Sequence, residues 1–167
     1  MSKKLATAAL TAAMAVAVLY LSSILPTASL ALAALAGIFH AAVVLEAGYW
    51  YALGSFVVSA FLGFLLLPDK GAAISYAIFL GYYPILKSVF ERISVHWVGW
   101  ILKLILCSLS LGGLYALSGI FTTVLTDSVP LWILLPGGCA VFVLYDLGLT
   151  KLITYYLQHI HKMLNKR

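Results

Sequence analysis

The sequence is poor in charge. Only 9% of its 167 residues are charged, whereas 64% are hydrophobic. Because soluble domains carry about 25% charged residues, this scarcity excludes a water-soluble enzyme and a disordered chain. A membrane β-barrel is excluded as well, since its strands would alternate apolar with polar side chains. The remaining class is an all-α integral membrane bundle, and at about 20 residues per crossing, with short loops between the crossings, this length allows at most six or seven spans.

Cysteine is also scarce, and several catalytic motifs are missing. Cys107 and Cys139 each stand alone in an apolar stretch, so we expect two buried, unreactive thiols rather than a disulfide or a metal site. The sequence contains no His-Glu-x-x-His, Gly-x-Ser-x-Gly or Gly-x-x-x-x-Gly-Lys-[Ser/Thr] motif. We therefore expect no enzyme, no metal and no cofactor, and an intramembrane enzyme is the third choice.

Proline, glycine and charged residues interrupt the apolar runs and divide the chain into six predicted transmembrane helices within one domain, residues 1–167. They cover residues 5–25, 29–46, 48–67, 71–91, 96–119 and 130–158. Pro26 ends the first of them, and Ser29 is predicted to cap the second. The first run exceeds a usual signal-peptide core, so we expect it to be a membrane span.

The positive residues predict the orientation, because cytoplasmic loops carry an excess of lysine and arginine. With both termini cytoplasmic, Lys70 lies outside and Lys103 lies within the fifth helix. The inner side then holds Lys3, Lys4, Lys87, Arg92, Lys151, Lys162, Lys166 and Arg167. This count of eight against one predicts a multi-pass protein of the cytoplasmic membrane. Since these charges are dispersed, the net charge of +5 does not indicate nucleic-acid binding.

Small residues recur four apart in several segments, which permits close helix packing in lipid. For the second, third and fifth helices we expect packing within the bundle. Those residues are Ser29, Ala33, Gly37 and Ala41, then Ser55, Ser59 and Gly63, then Ser108, Gly112 and Ala116. The first helix carries Ala9, Ala13 and Ala17, a smooth face that we predict to dock on a partner.

This alanine motif after Lys3 and Lys4, together with the six helices and short loops, resembles the substrate-binding S components of energy-coupling factor (ECF) transporters. In that family the motif on the first helix docks on a coupling membrane subunit, which is itself bound to two ATPases. The resemblance implies a ligand pocket that opens outward, and no substrate is carried over. The main alternative is a non-transporting membrane scaffold or envelope-assembly protein, similar to the rod-shape protein D family.

Charges inside a membrane helix are candidates for function, because each is costly unless it is paired. Lys103 lies about 10 Å from the inner end of its helix, and Asp146 lies at a similar level. We predict that they form an intramembrane charge pair that fixes helix packing. Coupling to a partner and a proton or ion relay are the alternatives. For His40 and His96 we expect hydrogen-bonded packing rather than metal ligation.

The outer helix ends present aromatic and hydroxyl side chains, which suit a compact, largely apolar ligand with a few polar atoms. The predicted contacts are Tyr20, Ser23, Ser75, Tyr76, Tyr115 and Trp132, below a loop with Thr122, Thr123 and Asp127. We also predict interruptions at Tyr82-Tyr83-Pro84 and Pro136-Gly137-Gly138, as simple kinks or, alternatively, as binding elements. The expected partners are the lipid bilayer, a small molecule, and a coupling subunit with its ATPases.

Overall fold

The computed structural model describes residues 2–90, 96–121 and 131–155, and all its regular elements are helical. Within these ranges six helical stretches are long and apolar enough to cross a membrane. The shortest has 18 residues, which at 1.5 Å per residue is about 27 Å, close to the hydrocarbon thickness of a bilayer. The prediction of an all-α chain with six helices of membrane-spanning length is therefore confirmed for the described residues.

Five spans are single helices and the fourth is broken. The single helices are α1 (Ser2–Ile24), α2 (Ser29–Glu46), α3 (Tyr49–Leu66), α6 (His96–Phe121) and α7 (Leu131–Tyr155). The fourth span consists of α4 (Lys70–Ser75), a π-helical segment (Tyr76–Leu80) and α5 (Tyr83–Phe90). Most helix ends lie within three residues of their predicted positions. The predicted continuation of the last helix to residue 158 falls outside the described residues.

The turns that follow α1 and α2 have different backbone structures. After α1 the chain forms a short 3-10 turn, Pro26–Ala28. Ala28 precedes α2 without a side-chain cap, so the predicted capping by Ser29 is wrong, because Ser29 is already the first helical residue. Between α2 and α3, Gly48 adopts φ 99°, a left-handed conformation that only glycine adopts without strain.

The third turn is held by side chains on both flanks. Asp69 precedes α4, and its Oδ1 accepts hydrogen bonds from the backbone N–H groups of Gly71 (2.9 Å) and Ala72 (3.3 Å). Lys70 Nζ donates to the carbonyl of Phe64 at 2.7 Å. These bonds satisfy terminal backbone groups that α3 and α4 leave without helical partners.

The break in the fourth span begins earlier than the predicted interruption at Tyr82-Tyr83-Pro84. Gly81 N–H donates to Tyr76 O at 2.8 Å, the wide spacing of a π-helix. Pro84 lacks an N–H group, and in a continuous helix its ring would clash with the carbonyl four residues earlier, that of Leu80. The helix therefore changes its hydrogen bonding before Pro84 and starts again at Tyr83.

The predicted interruption at Pro136-Gly137-Gly138 does not break the helix, because α7 runs continuously through it. Pro136 is the sixth residue of that helix, so its missing N–H deprives only a carbonyl in the first turn. Gly138 instead allows close packing. A Cβ atom there would lie 2.6 Å from Cδ1 of Leu111 on α6.

Small residues line the packed faces of two of the three helices for which this was predicted. On α2 and α3 the buried members are Ala33, Gly37, Ala41, Ser55, Ser59 and Gly63. On α6 the prediction is wrong, because Ser108 and Ala116 are exposed. That helix buries the neighbouring face, with Lys103, Cys107 and Ser110.

The predicted orientation is testable with impermeant thiol reagents on intact cells. We expect Pro68→Cys, an exposed position in the turn before α4, to be labelled from outside. Lys4→Cys, exposed at the start of α1, should react only after the membrane is opened. The unsubstituted chain is the background control, since Cys107 and Cys139 lie within spans. The reverse labelling pattern would show that both termini lie outside.

Candidate functional site

The predicted docking residues all lie on one exposed face of α1. Ala9, Ala13 and Ala17 are exposed, and the helix packs against α2 and α3 through its opposite side. The residues buried on that opposite side are Ala8, Thr11, Ala12, Ala15, Leu19 and Ser22. The fold therefore does not use the face formed by Ala9, Ala13 and Ala17, which we call the alanine face.

The predicted ligand contacts differ in their surroundings. Tyr20 is half-exposed, at 52%, and lies three residues beyond Ala17, so it prolongs the alanine face rather than lining the interior. The Ser23 hydroxyl is buried and has no hydrogen-bond partner among the described residues. Ser75 and Tyr115 are partly buried. Trp132 lies in the first turn of α7. Thr122, Thr123 and Asp127 lie outside the described residues.

Tyr76 is fully buried at the start of the π segment. Its hydroxyl contacts Ser59 Oγ at 2.7 Å and also contacts Nε2 of His40. The other imidazole nitrogen, Nδ1, lies 3.2 Å from Ser55 Oγ, which in turn lies 3.4 Å from Thr11 Oγ1. We call these residues of α1, α2, α3 and the π segment the histidine network. It confirms the expectation that His40 is a hydrogen-bonded packing residue.

A second buried network surrounds Asp146 on α7. Lys103 Nζ lies 3.0 Å from Asp146 Oδ2 and 3.2 Å from Oδ1, so the structure brings the two predicted partners together. Lys87 on α5 joins them, because its Nζ donates to Oδ1, to the backbone carbonyl of Asp146 at 2.9 Å and to Thr150 Oγ1 at 2.7 Å. Tyr83 also donates to Oδ1. We call these five residues the aspartate network.

The charged members of the aspartate network are almost completely withdrawn from solvent. Lys87 is 0% exposed, Lys103 is 7% exposed and Asp146 is 2% exposed. Lys103 Nζ also lies 5.4 Å from the centre of the Trp100 ring, a cation–π contact. Buried charges require such pairing, since an ion without a partner is strongly disfavoured in a low-dielectric interior. The network therefore ties α5, α6 and α7 together.

The broken fourth span connects the two networks. Tyr76 belongs to the histidine network, whereas Tyr83 and Lys87 belong to the aspartate network. Between them, the hydroxyl of Tyr82 lies 3.2 Å from Ser110 Oγ on α6. The break thus lets one membrane span direct polar side chains towards α2 and α3 near one end and towards α6 and α7 near the other.

Sequence reasoning missed the roles of Lys87 and Tyr83. Lys87 was placed at the inner end of its helix, yet it is fully buried. The available signal was spacing. Tyr83 and Lys87 are four residues apart, as are Ser55 and Ser59, and residues four apart share a helix face.

The two cysteines are free. Cys107 is buried, and Cys139 is partly buried and packs against the same apolar cluster. Within the described ranges no group of three or more histidine, cysteine, aspartate or glutamate residues is arranged to hold a metal ion. The two networks hold their helices against one another and set the directions of the buried hydrogen bonds and ion pairs.

No protein-family model, curated protein or solved structure matches the chain. The fold and the two networks therefore define its class by themselves. The chain is a multi-pass α-helical membrane protein with two buried polar networks and an exposed face of alanines on its first helix.

Proposed function

We propose that the chain is a substrate-binding S component of an ECF-type importer in the cytoplasmic membrane, without ATPase activity of its own. The observation that carries this proposal is the exposure of Ala9, Ala13 and Ala17 on α1. The six spans and the absence of a nucleotide-binding motif are consistent with a subunit that relies on a coupling subunit and ATPases for energy.

The alanine face suits a helix as its partner. Association of helices in lipid depends on van der Waals packing, and small side chains let two backbones approach closely. Since α1 packs on α2 and α3 through Ala8, Ala12 and Ala15, the alanine face is available without any change in the fold. A membrane helix of the coupling subunit is the occupant that we propose.

The proposed ligand is a compact, largely apolar small molecule that binds between the outer helix ends. The unpartnered Ser23 hydroxyl supplies a polar group there, because a buried hydroxyl without a partner gains free energy by bonding to a ligand. Tyr115 and Ser75, both partly buried, add an aromatic wall and a second hydroxyl.

Replacing Ala13 with leucine tests the docking face. We expect Ala13→Leu to abolish copurification with the coupling subunit and ATPases of the same organism, because the larger side chain separates the two helices. The isolated protein should keep its stability, since position 13 is exposed. Tagged protein coexpressed with the coupling complex, purified and analysed by size exclusion and mass spectrometry, provides the measurement.

Two matched variants control this experiment. Ala140→Leu makes the same change at an exposed alanine of α7 and should leave copurification intact. Ala12→Leu places the extra volume on the packed face, where Ala12 is 4% exposed, and should destabilise the isolated protein. Copurification that survives Ala13→Leu would refute docking through the alanine face.

One observation favours the alternative, a non-transporting membrane scaffold. Tyr76, a predicted ligand contact, is fully buried and bonded to His40 and Ser59. A metabolite screen separates the two proposals, because a ligand at a hundredfold excess over its dissociation constant stabilises the folded state by about 2.7 kcal/mol. An importer subunit should show such a thermal shift, and a Ser23→Ala variant should reduce it. A scaffold should respond only to proteins.

A further inference from the structure

The histidine network forms a continuous buried path from the broken fourth span to the docking helix. It runs from Tyr76 in the π segment through His40 on α2 and Ser55 on α3 to Thr11 on α1. Tyr76 and His40 are 0% exposed, Ser55 is 4% exposed and Thr11 is 9% exposed. Water is therefore largely excluded as a substitute partner, and each hydroxyl proton must find an acceptor in the network or on a neighbouring backbone carbonyl.

The two ends of the path restrict how its protons are arranged. Thr11 Oγ1 donates to the carbonyls of Thr7 (2.9 Å) and Ala8 (3.0 Å), so towards Ser55 it acts as an acceptor. At the other end the Ser59 hydroxyl proton has two acceptors within reach, the Phe56 carbonyl at 2.9 Å and the Tyr76 oxygen at 2.7 Å. When Tyr76 donates to His40, Ser59 donates to Tyr76. When the Tyr76 hydroxyl is withdrawn, Ser59 donates to the Phe56 carbonyl and is free to accept from His40.

A neutral imidazole has one N–H donor and one nitrogen acceptor. The direction of the hydrogen bond between Tyr76 and His40 therefore sets the direction of the bond between His40 and Ser55. If Tyr76 donates to Nε2 of His40, the ring proton lies on Nδ1 and is donated to Ser55. Ser55 then donates its own proton to Thr11. If the ring proton lies on Nε2 instead, Ser55 must donate to Nδ1, and its contact with Thr11 lacks a hydrogen.

We propose that the tautomer of His40 links Tyr76 to Thr11. In the structure His40 carries its ring proton on Nδ1, and Tyr76 donates to Nε2. The phenol is the more acidic hydroxyl and the imidazole nitrogen the more basic acceptor, which favours this direction of donation. Withdrawal of the Tyr76 hydroxyl moves the ring proton to Nε2, where Ser59 Oγ, 3.2 Å away, accepts it. The hydrogen bond that holds Thr11 is then lost.

This link reaches the back of the docking helix. Thr11 and Ala13 are two residues apart and point in nearly opposite directions on α1, so Thr11 anchors the side opposite the alanine face. The consequence for partner binding rests on the proposed function: a ligand that displaces Tyr76 at the outer end would loosen the anchorage of the docking helix. The link itself is a property of the isolated protein.

The tautomer is measurable by nitrogen-15 NMR of the full chain, labelled at histidine and reconstituted in lipid nanodiscs, with the His40 signals assigned by their loss in His40→Gln. We expect the proton on Nδ1 in the unsubstituted protein and on Nε2 in Tyr76→Phe. Tyr82→Phe is the matched control, because it removes a hydroxyl of the same span that bonds to Ser110 instead, and it should leave the proton on Nδ1. A proton on Nε2 in the unsubstituted protein, or on Nδ1 in Tyr76→Phe, would overturn the proposal.

A double-mutant cycle measures whether the link reaches α1. The unfolding equilibrium constant of the double variant Tyr76→Phe/Thr11→Val should differ from the product of the two single effects by at least about fivefold. This corresponds to about 1 kcal/mol at 1.4 kcal/mol per tenfold. Tyr82→Phe combined with Thr11→Val should multiply to within about twofold. Simple multiplication in the first cycle would overturn the link. Both measurements use the isolated protein, so a failure of ECF docking would leave their outcome unchanged.

Discussion

Asp146→Asn is expected to destabilise the protein by about 3–5 kcal/mol, the usual cost of removing one partner from a buried ionic group. The substitution leaves two ammonium groups, those of Lys87 and Lys103, without the carboxylate that both contact. It also weakens the bond from the Tyr83 hydroxyl. Reversible unfolding in mixed micelles with increasing denaturing detergent provides the free energy of unfolding.

The effect of Lys103→Met should be smaller, because Asp146 keeps its bonds from Lys87 and Tyr83. Combining Lys103→Met with Asp146→Asn should cost less than the sum of the two, since the double variant has one ammonium group fewer to accommodate. Lys151→Met, at an exposed position of α7, is the control. Its free energy of unfolding should stay within about 0.5 kcal/mol of that of the unsubstituted protein. Additive effects at Asp146 and Lys103 would argue against an energetic pair.

The number and limits of the spans were predictable because a bilayer fixes the length of an apolar helix. The predicted helix at residues 29–46 has the bounds of α2, and the break near Pro84 followed from the chemistry of proline. The charge pair was predictable for a related reason. Lys103 and Asp146 are rare charges at a similar depth, and an unpaired ion in the membrane is too costly to expect.

The rotation of each helix was not predictable, since lipid is as apolar as the packed side chains and provides no hydrophobic force that selects one face. On α6 the spacing of Ser108, Gly112 and Ala116 indicated the wrong face. The participation of Lys87 was missed for the same reason, because its burial depends on how α5 is rotated beyond the π segment. His40 was expected to form hydrogen bonds, but its partners lie 15 to 36 residues away in sequence.

A methyl group at position 37 should have the second large effect on stability. A Cβ atom on Gly37 would lie 2.1 Å from the backbone oxygen of Leu80 and 3.0 Å from its carbonyl carbon. A side chain can rotate out of such a contact, but here α2 and the π segment would have to separate. We expect Gly37→Ala to destabilise by about 1–3 kcal/mol, the cost of overpacking, although alanine is intrinsically the better helix former by about 1 kcal/mol.

Two other glycines separate the effect of this contact from that of helix propensity. A Cβ atom on Gly54 of α3 would have nothing within 4 Å, so Gly54→Ala should be neutral or slightly stabilising. Gly138→Ala would meet the side chain of Leu111 at 2.6 Å and should fall between the two, because that side chain is free to change its rotamer. If Gly37→Ala were as stable as Gly54→Ala, the close approach of α2 to the π segment would be refuted. Leu80 ends the π segment that Tyr76 begins. If the methyl group at position 37 pushes this segment away from α2, Tyr76 should also move away from His40. Nitrogen-15 spectra of the His40 ring would detect that change.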